Sequence, residues 1–296
     1  MIETTDLSLS TKLGRVAREW RGAVERGALK WKYREALRGE APAVVEDAFG
    51  FRFVLQPYER PQALALLERE HDRALLRAMA RLISPGDVVF DVGAHIGEIS
   101  VPAARLCGPP GKVFAFEPVA ESCARLRENL KLNGCENIFL QPVAVGERAG
   151  AVQMNVFPAA HSAWNSQGRP VYAGADGVPV ATSTQVDVPC ATLDEFCAAQ
   201  EIAQIHFLKV DVEGYERDVF RGAARLLNER RVDTICFEIS QIPLRGAGRT
   251  ARETFEILDG YGYRSCRFDE RAERFEGPVR DSAEVWTEYF ASWKKL

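Results

Sequence analysis

The sequence predicts an α/β fold: a doubly wound, mostly parallel sheet preceded by a helical N-terminal extension. Three observations predict it. From Asp87 onward, short apolar runs alternate with helix-length segments in the order β-α-β-α-β, which calls for parallel strands joined by right-handed crossovers. Runs such as Val88-Val89-Phe90 are apolar at every position, as strands buried on both faces require. A strand ending in Asp91 then turns through Gly93 and Gly97 into a helix, the arrangement that opens ligand sites in open α/β sheets.

The elements follow in order. Residues 10–38 read as a helix, with Leu13, Val16, Trp20, Val24 and Trp31 recurring at helical spacing among Arg and Glu. That stripe suits packing on the main domain, a homodimer through this helix, or recruitment of a substrate. A hairpin comes next, from residues 43–48 and 51–55 hinged at Gly50. A second helix, residues 61–82, is stopped by Ser84-Pro85-Gly86. Residues 1–82 are thus expected to form a helical N-terminal extension with a short hairpin, and residues 83–296 the α/β domain.

Within that domain the pattern gives a strand from Val88, a helix over 97–106, a strand over 112–116, a helix over 118–132 and a strand over 138–144. Residues 147–190 interrupt the alternation as an inserted substrate loop. A strand pair, 151–157 and 185–189, flanks a stretch rich in Gly, Pro, Ser and Ala, and a loop of that length in a compact domain is usually functional or disordered. A helix over 193–200, a strand over 205–210, a helix over 217–228 and a strand over 233–239 follow. The tail offers a helix over 252–260 and strands near 263–268 and 285–290.

Composition narrows the class. Across 296 residues, 46% are hydrophobic and 27% charged, as in ordinary globular proteins. A net charge of −4 provides no basic footprint, so no nucleic acid partner is expected. No apolar run reaches the roughly 18–20 residues of a membrane span. The seven cysteines never form a CxxC pair, which favours reduced, buried thiols over disulfides or zinc. The first residues carry acid where a secretory signal carries base, so a cytoplasmic location is expected.

The string from Val88 to Ser100 discriminates among cofactors. A P-loop needs Gly-Lys-Ser/Thr at the helix start, and Gly97-Glu98-Ile99 lacks it. A dinucleotide site needs glycine where His95 stands, and Glu98 would repel phosphate. S-adenosylmethionine carries no phosphate. Asp91 suits its ammonium, and Gly93, Ala94, His95, Gly97 and Ser100 form the turn and helix start that would meet its carboxylate. Glu117 lies about 20 residues beyond the glycine turn, where an acid grips ribose hydroxyls. Pro118 follows it, and Ala144, in Pro142-Val143-Ala144-Val145-Gly146, supplies a wall for adenine.

At these residues the sequence resembles the FkbM-type methyltransferases. The resemblance runs from about Val44 to Ile239. It rests on Pro85-Gly86-Asp87, Asp91-Val92-Gly93-Ala94, Phe116-Glu117-Pro118, Val143-Ala144-Val145-Gly146, Thr192-Leu193-Asp194 and Cys236-Phe237-Glu238-Ile239. Its most specific segment is Leu208-Lys209-Val210-Asp211-Val212-Glu213-Gly214-Tyr215-Glu216. His95 departs from the asparagine usual in the family. The resemblance implies a Rossmann-like class I methyltransferase fold, S-adenosylmethionine, and methyl transfer, commonly to a hydroxyl of a sugar, polyketide or related metabolite. Some members resemble peptide amide N-methyltransferases, which leaves that acceptor as an alternative. A non-catalytic ligand-binding module of the same fold is the alternative from another class.

Methyl transfer is in-line displacement, for which alignment of the reacting atoms matters most. A neutral hydroxyl must also lose its proton, to a base or with the help of a metal. Asp211, Glu213 and Glu238 end the fourth and fifth expected parallel strands. Asp211 is expected to orient and deprotonate the acceptor, with Glu213 and Glu238 assisting it or binding a divalent ion. The competing reading is that Asp211 or Glu213 caps the helix starting near Tyr215. His161, beside Trp164 in the long loop, is an alternative base, while His71 and His206 read as structural or surface groups.

Overall fold

The computed structural model describes Tyr33, residues 39–59, Leu67, and residues 72–172 and 183–296. The expected helix over 10–38, and the part of the second helix before Asp72, lie outside the described residues apart from Tyr33 and Leu67. The chain divides into two units, 1–71 and 72–296. In the first, β1 (Ala43–Glu46) and β2 (Arg52–Leu55) form the expected antiparallel hairpin. Its turn is held by Asp47, whose Oδ1 accepts from the Phe49 and Phe51 amides at 2.8 and 2.9 Å.

The second unit begins with α1 (Arg73–Leu82), a segment the sequence reading assigned to the N-terminal extension. Then come β3 (Val88–Val92), α2 (Ser100–Cys107), β4 (Lys112–Phe116), α3 (Ala120–Asn133) and β5 (Ile138–Gln141). After the inserted segment follow α4 (Leu193–Ala199), β9 (Ile205–Val210), α5 (Glu216–Arg221), α6 (Ala224–Asn228), β10 (Val232–Ser240), α7 (Gln241–Gly246) and α8 (Ala251–Gly260). The tail supplies β11 (Arg264–Asp269), β12 (Arg274–Glu276) and β13 (Trp286–Ser292).

Eight strands form one sheet in the order β12-β11-β13-β10-β9-β3-β4-β5. The run β10-β9-β3-β4-β5 is parallel throughout. β13 enters antiparallel beside β10, and β11 pairs antiparallel with β13. The sheet is therefore the doubly wound, mostly parallel one expected. β3 and β4, flanked on both sides, are buried at nearly every position, which explains their uniform apolarity. Phe196 of α4 packs edge-on to Phe90, Phe114 and Phe116 of that pair.

Two expectations are corrected. The strand expected over 138–144 is two strands. β5 stops before Pro142, which has no amide hydrogen to donate to a ladder. β6 (Ala144–Val145) then joins β8 (Thr184–Ala191) and β7 (Gly150–Val156) in a separate three-stranded sheet. The helix expected over 217–228 is likewise broken into α5 and α6. Gly222 lies against the Gly146 carbonyl, where a Cβ would collide, and its own carbonyl accepts from the Asp194 amide at 3.0 Å. Asp194 then caps α6, its carboxylate accepting from the Arg225 and Leu226 amides at 2.8 and 3.0 Å. No helix of the described residues is long and apolar enough to cross a membrane. All seven cysteines are free, and all but Cys135 are buried.

Candidate active site

A cavity of about 450 Å³, within the usual range for small-molecule sites, opens where the parallel strands end. Its floor is built from the carboxyl ends of β3, β4, β9 and β10, the edge where open α/β sheets bind ligands. Asp91, Gly93, Ala94, His95, Glu117, Pro118 and Ala144 line it, as do Asp211, Glu213 and Glu238. The sheet thus brings ten of the twelve residues singled out in the sequence to one cavity. Gly97 and Ser100 stand behind it.

On the β3 side, Asp91 is 1% exposed. Its Oδ2 accepts from the Ser100 hydroxyl at 2.5 Å, so Ser100 holds Asp91 instead of facing a ligand. Burial pushes the Asp91 carboxyl up to about 6. Gly93 adopts φ 89°, and a Cβ there would run into the Asp211 carbonyl. Its lack of a side chain therefore lets the ends of β3 and β9 close together, joined also by the bond from the Asp211 amide to the Val92 carbonyl at 2.9 Å. Gly97, at φ 92°, lies against Leu126 of α3, so the close contact there is between the turn ahead of α2 and α3. α2 begins only at Ser100.

The Glu117 carboxylate spans the same turn. Oε2 accepts from the His95 amide at 3.0 Å and Oε1 from the Val119 amide at 2.9 Å. Burial raises its pKa, against the opposing effect of these amides. His95 stands at φ 46°, in the left-handed region where asparagine is better tolerated than most side chains. Its Nε2 lies 2.9 Å from the Ser162 hydroxyl, tying the turn to the inserted segment. Phe116, Val143 and Ala144 give that end of the cavity an apolar wall.

On the β9 and β10 side, one carboxylate oxygen from each of Asp211, Glu213 and Glu238 falls within 4.8 Å of the others. Their convergence does not come from alternation along an extended strand, although Asp211 and Glu213 stand two residues apart. β9 ends at Val210, and Glu213 and Gly214 turn through φ 52° and 92°, with Gly214 packed against the Pro243 carbonyl of α7. Glu238 is 7% exposed. Burial first, and the charge of Asp211 next, raise the carboxyls of Glu213 and Glu238 well above the ordinary range. The capping role falls to neither Asp211 nor Glu213. Glu216 Oε1 accepts from the Val212 and Gly214 amides at 3.3 and 3.1 Å.

Sequence reasoning missed three groups. Lys209 is 2% exposed, its Nζ 3.5 Å from Asp211 Oδ2 and 3.1 Å from Glu288 Oε1. A lysine inside the apolar run Ile205-His206-Phe207-Leu208-Lys209-Val210 is itself a signal, since a buried charge needs a partner. Glu288 of β13 stands directly across from Glu238, a pairing no local pattern reveals. Tyr172 donates its hydroxyl to Glu213 Oε2 at 3.2 Å and stacks on Trp164, with ring centroids 4.0 Å apart. His161 stacks on Trp164 at 4.3 Å and is not among the residues lining the cavity. His206 is structural, its Nδ1 accepting from the Val88 amide at 2.9 Å. His71 lies outside the described residues.

Residues 91–265, more than half of the chain, match the family described as the methyltransferase FkbM domain. The chain belongs to the FkbM methyltransferase family. Similar proteins include the hexuronic acid methyltransferase AglP of Haloferax volcanii, 28% identical over 63% of this chain and 70% of its own length. The 31-O-demethyl-FK506 methyltransferase FkbM of Streptomyces tacrolimicus is 32% identical over 51% of this chain and 64% of its own. The 2-O-methyltransferase NoeI of Sinorhizobium fredii is 27% identical over 55% of this chain and 70% of its own. Membership makes this protein an S-adenosylmethionine-dependent methyltransferase, and the departure at His95 leaves that assignment intact. The residues present fit the cofactor. Two buried acids, Asp91 and Glu117, beside an apolar wall match an ammonium, ribose hydroxyls and an adenine, and no phosphate-binding lysine stands in the turn.

Proposed function

We propose that this FkbM-family enzyme methylates a hydroxyl of a sugar, polyketide or related small metabolite. The observation that carries this reading is the single cavity that joins the Asp91 and Glu117 turn to the acids Asp211, Glu213 and Glu238. The names of the three relatives, which include a 31-O and a 2-O position, support it. S-adenosylmethionine supplies an electrophilic methyl on a sulfonium, so the chain's residues have to position the acceptor and take up its proton. In this proposal Glu117 holds the ribose, Asp91 faces the ammonium side, and Phe116, Val143 and Ala144 flank the adenine.

Asp211 orients the acceptor hydroxyl and receives its proton as the oxygen–methyl bond forms. Glu213 and Glu238 retain protons to higher pH than solvated carboxylates do, which suits them to donate hydrogen bonds to the acceptor or to Asp211. The cation beside Asp211 is the Lys209 ammonium at 3.5 Å, and the proposed reaction uses it in place of a divalent ion. Trp164 and Tyr172, which line the cavity from the inserted segment, select the acceptor.

The test begins with calorimetric titration of S-adenosylhomocysteine into wild type and Glu117→Ala. Micromolar binding that weakens at least tenfold in the variant, about 1.4 kcal/mol, is expected. An acceptor screen read by mass, over hydroxylated sugars and macrolides with peptides as controls, should then give turnover that Asp211→Asn abolishes and a chelator leaves unchanged. Absence of heat and of thermal shift in the wild type would sink the reading. Turnover of peptide amides alone would move the acceptor from oxygen to nitrogen.

A further inference from the structure

The inserted segment is bonded to both halves of the site, each time through a serine. Asn155 and Ser166 exchange backbone N–H to carbonyl bonds at 2.7 and 3.1 Å, which closes a loop over residues 157–165. Ser166 is buried at that neck, and its hydroxyl donates to the Glu213 carbonyl at 2.7 Å. The neck is therefore fixed to the acidic turn after β9. At the far end of the loop, the Ser162 hydroxyl lies 2.9 Å from His95 Nε2. His95 belongs to the turn after β3, where its amide donates to the Glu117 carboxylate and its Nδ1 faces Glu98, 3.8 Å away. Between these anchors runs a short 3₁₀ stretch, Ala159–Trp164, kinked at His161 and without a buried residue. A stretch of that kind has little packing of its own, so its position depends on the side-chain contacts it makes.

We propose that His95 is a positioning residue: through Ser162 it ties the loop that carries Trp164 to the cofactor turn, so that a bound cofactor sets the acceptor wall before the acceptor arrives. The inference rests on the proposed placement of the cofactor ribose at Glu117. A ligand held there restrains the turn, because Glu117 Oε2 also accepts from the His95 amide at 3.0 Å. The His95 backbone, at φ 46°, sits in a small allowed region with little room to drift. Restraint on the turn thus passes through one imidazole to Ser162, and from there to Ala163 and Trp164, which line the cavity. Trp164 stacks on Tyr172, whose hydroxyl donates to Glu213. These contacts form one chain from the ribose acid to the acceptor acids, and the His95–Ser162 bond is where it crosses from the cofactor turn to the loop. Coupling of this kind is reciprocal, so a loop set by the cofactor also helps to retain it.

Hydrogen exchange read by mass spectrometry tests this without an acceptor. Peptides covering residues 157–168 are followed in wild type, Ser162→Ala and His95→Asn, each free and at saturating S-adenosylhomocysteine, with occupancy measured by calorimetry. Ser162→Ala removes the bond and leaves the cofactor turn untouched. His95→Asn keeps a residue that tolerates the left-handed turn but withdraws the ring from Ser162. The wild-type loop should exchange at least about fivefold more slowly with the ligand bound, and both variants should lose that gain. A bond that merely stiffened the loop would change exchange in the free and bound protein alike, so the difference between the two states is the quantity that decides. Ligand binding without slower exchange in the wild-type loop would overturn the proposal, as would a wild-type gain in either variant. Absence of binding heat in the wild type would remove the cofactor site at Glu117, and the proposal with it.

Discussion

At the scale of single residues, the site depends on side chains and on their absence. Gly93 shows the second case. With φ 89° and the Asp211 carbonyl where a Cβ would stand, Gly93→Ala has to move either β3 or β9 at the cavity floor. Its backbone strain alone is worth about 1–3 kcal/mol. Urea unfolding should show a loss of at least that size, and S-adenosylhomocysteine affinity should fall with it, because the turn that carries His95 and donates to Glu117 shifts. An alanine variant of wild-type stability and affinity would show that the strand ends have room to spare. His95 illustrates a residue that the sequence placed in the glycine turn without revealing its contact. Its place in that turn was legible, whereas its bond to Ser162 depends on where the inserted segment returns.

At the scale of elements, the break between α5 and α6 carries the clearest expectation. A continuous helical pattern over 217–228 hides an interruption, because what stops α5 is the Gly146 carbonyl from a distant strand. What restarts α6 is the Asp194 carboxylate, bonded to the Arg225 and Leu226 amides. Asp194→Ala should cost about 1–2 kcal/mol, the usual worth of a helix cap. S-adenosylhomocysteine binding should survive, since Asp194 does not line the cavity. A cofactor defect with unchanged stability would contradict this account. The Thr-Leu-Asp motif is thereby explained in structural terms: Thr192 caps α4 by accepting from the Glu195 amide at 3.1 Å, and Asp194 caps α6.

At the scale of the whole molecule, the fold gathers acids into places where water would not leave them neutral. Burial raises Glu216 from 4.5 to about 7, Glu288 from 4.5 to about 7 and Asp91 from 3.8 to about 6. Between pH 4.5 and 7 the folded state keeps protons on Glu216 and Glu288 that the unfolded chain releases. Stability therefore falls as pH rises through that window, by on the order of 3 kcal/mol for Glu216 taken alone. Thermal unfolding from pH 5 to 8 should show the decline, and Glu216→Gln, whose carbonyl oxygen can still accept from the Val212 and Gly214 amides, should make it shallower. An equal slope in the variant would place the pH dependence elsewhere. The sequence by itself determined the alternating α/β order, the parallel core strands, the glycine turn with Asp91 and Glu117, and the candidacy of Asp211, Glu213 and Glu238. Each of these is written in local periodicity or in spacing within one strand–turn–helix unit. Only the tertiary structure decided that β13 enters beside β10, bringing Glu288 opposite Glu238 and behind Lys209, and that Tyr172 reaches Glu213. Those contacts join segments far apart in the chain, and sheet order, which no local pattern encodes, is what sets them side by side.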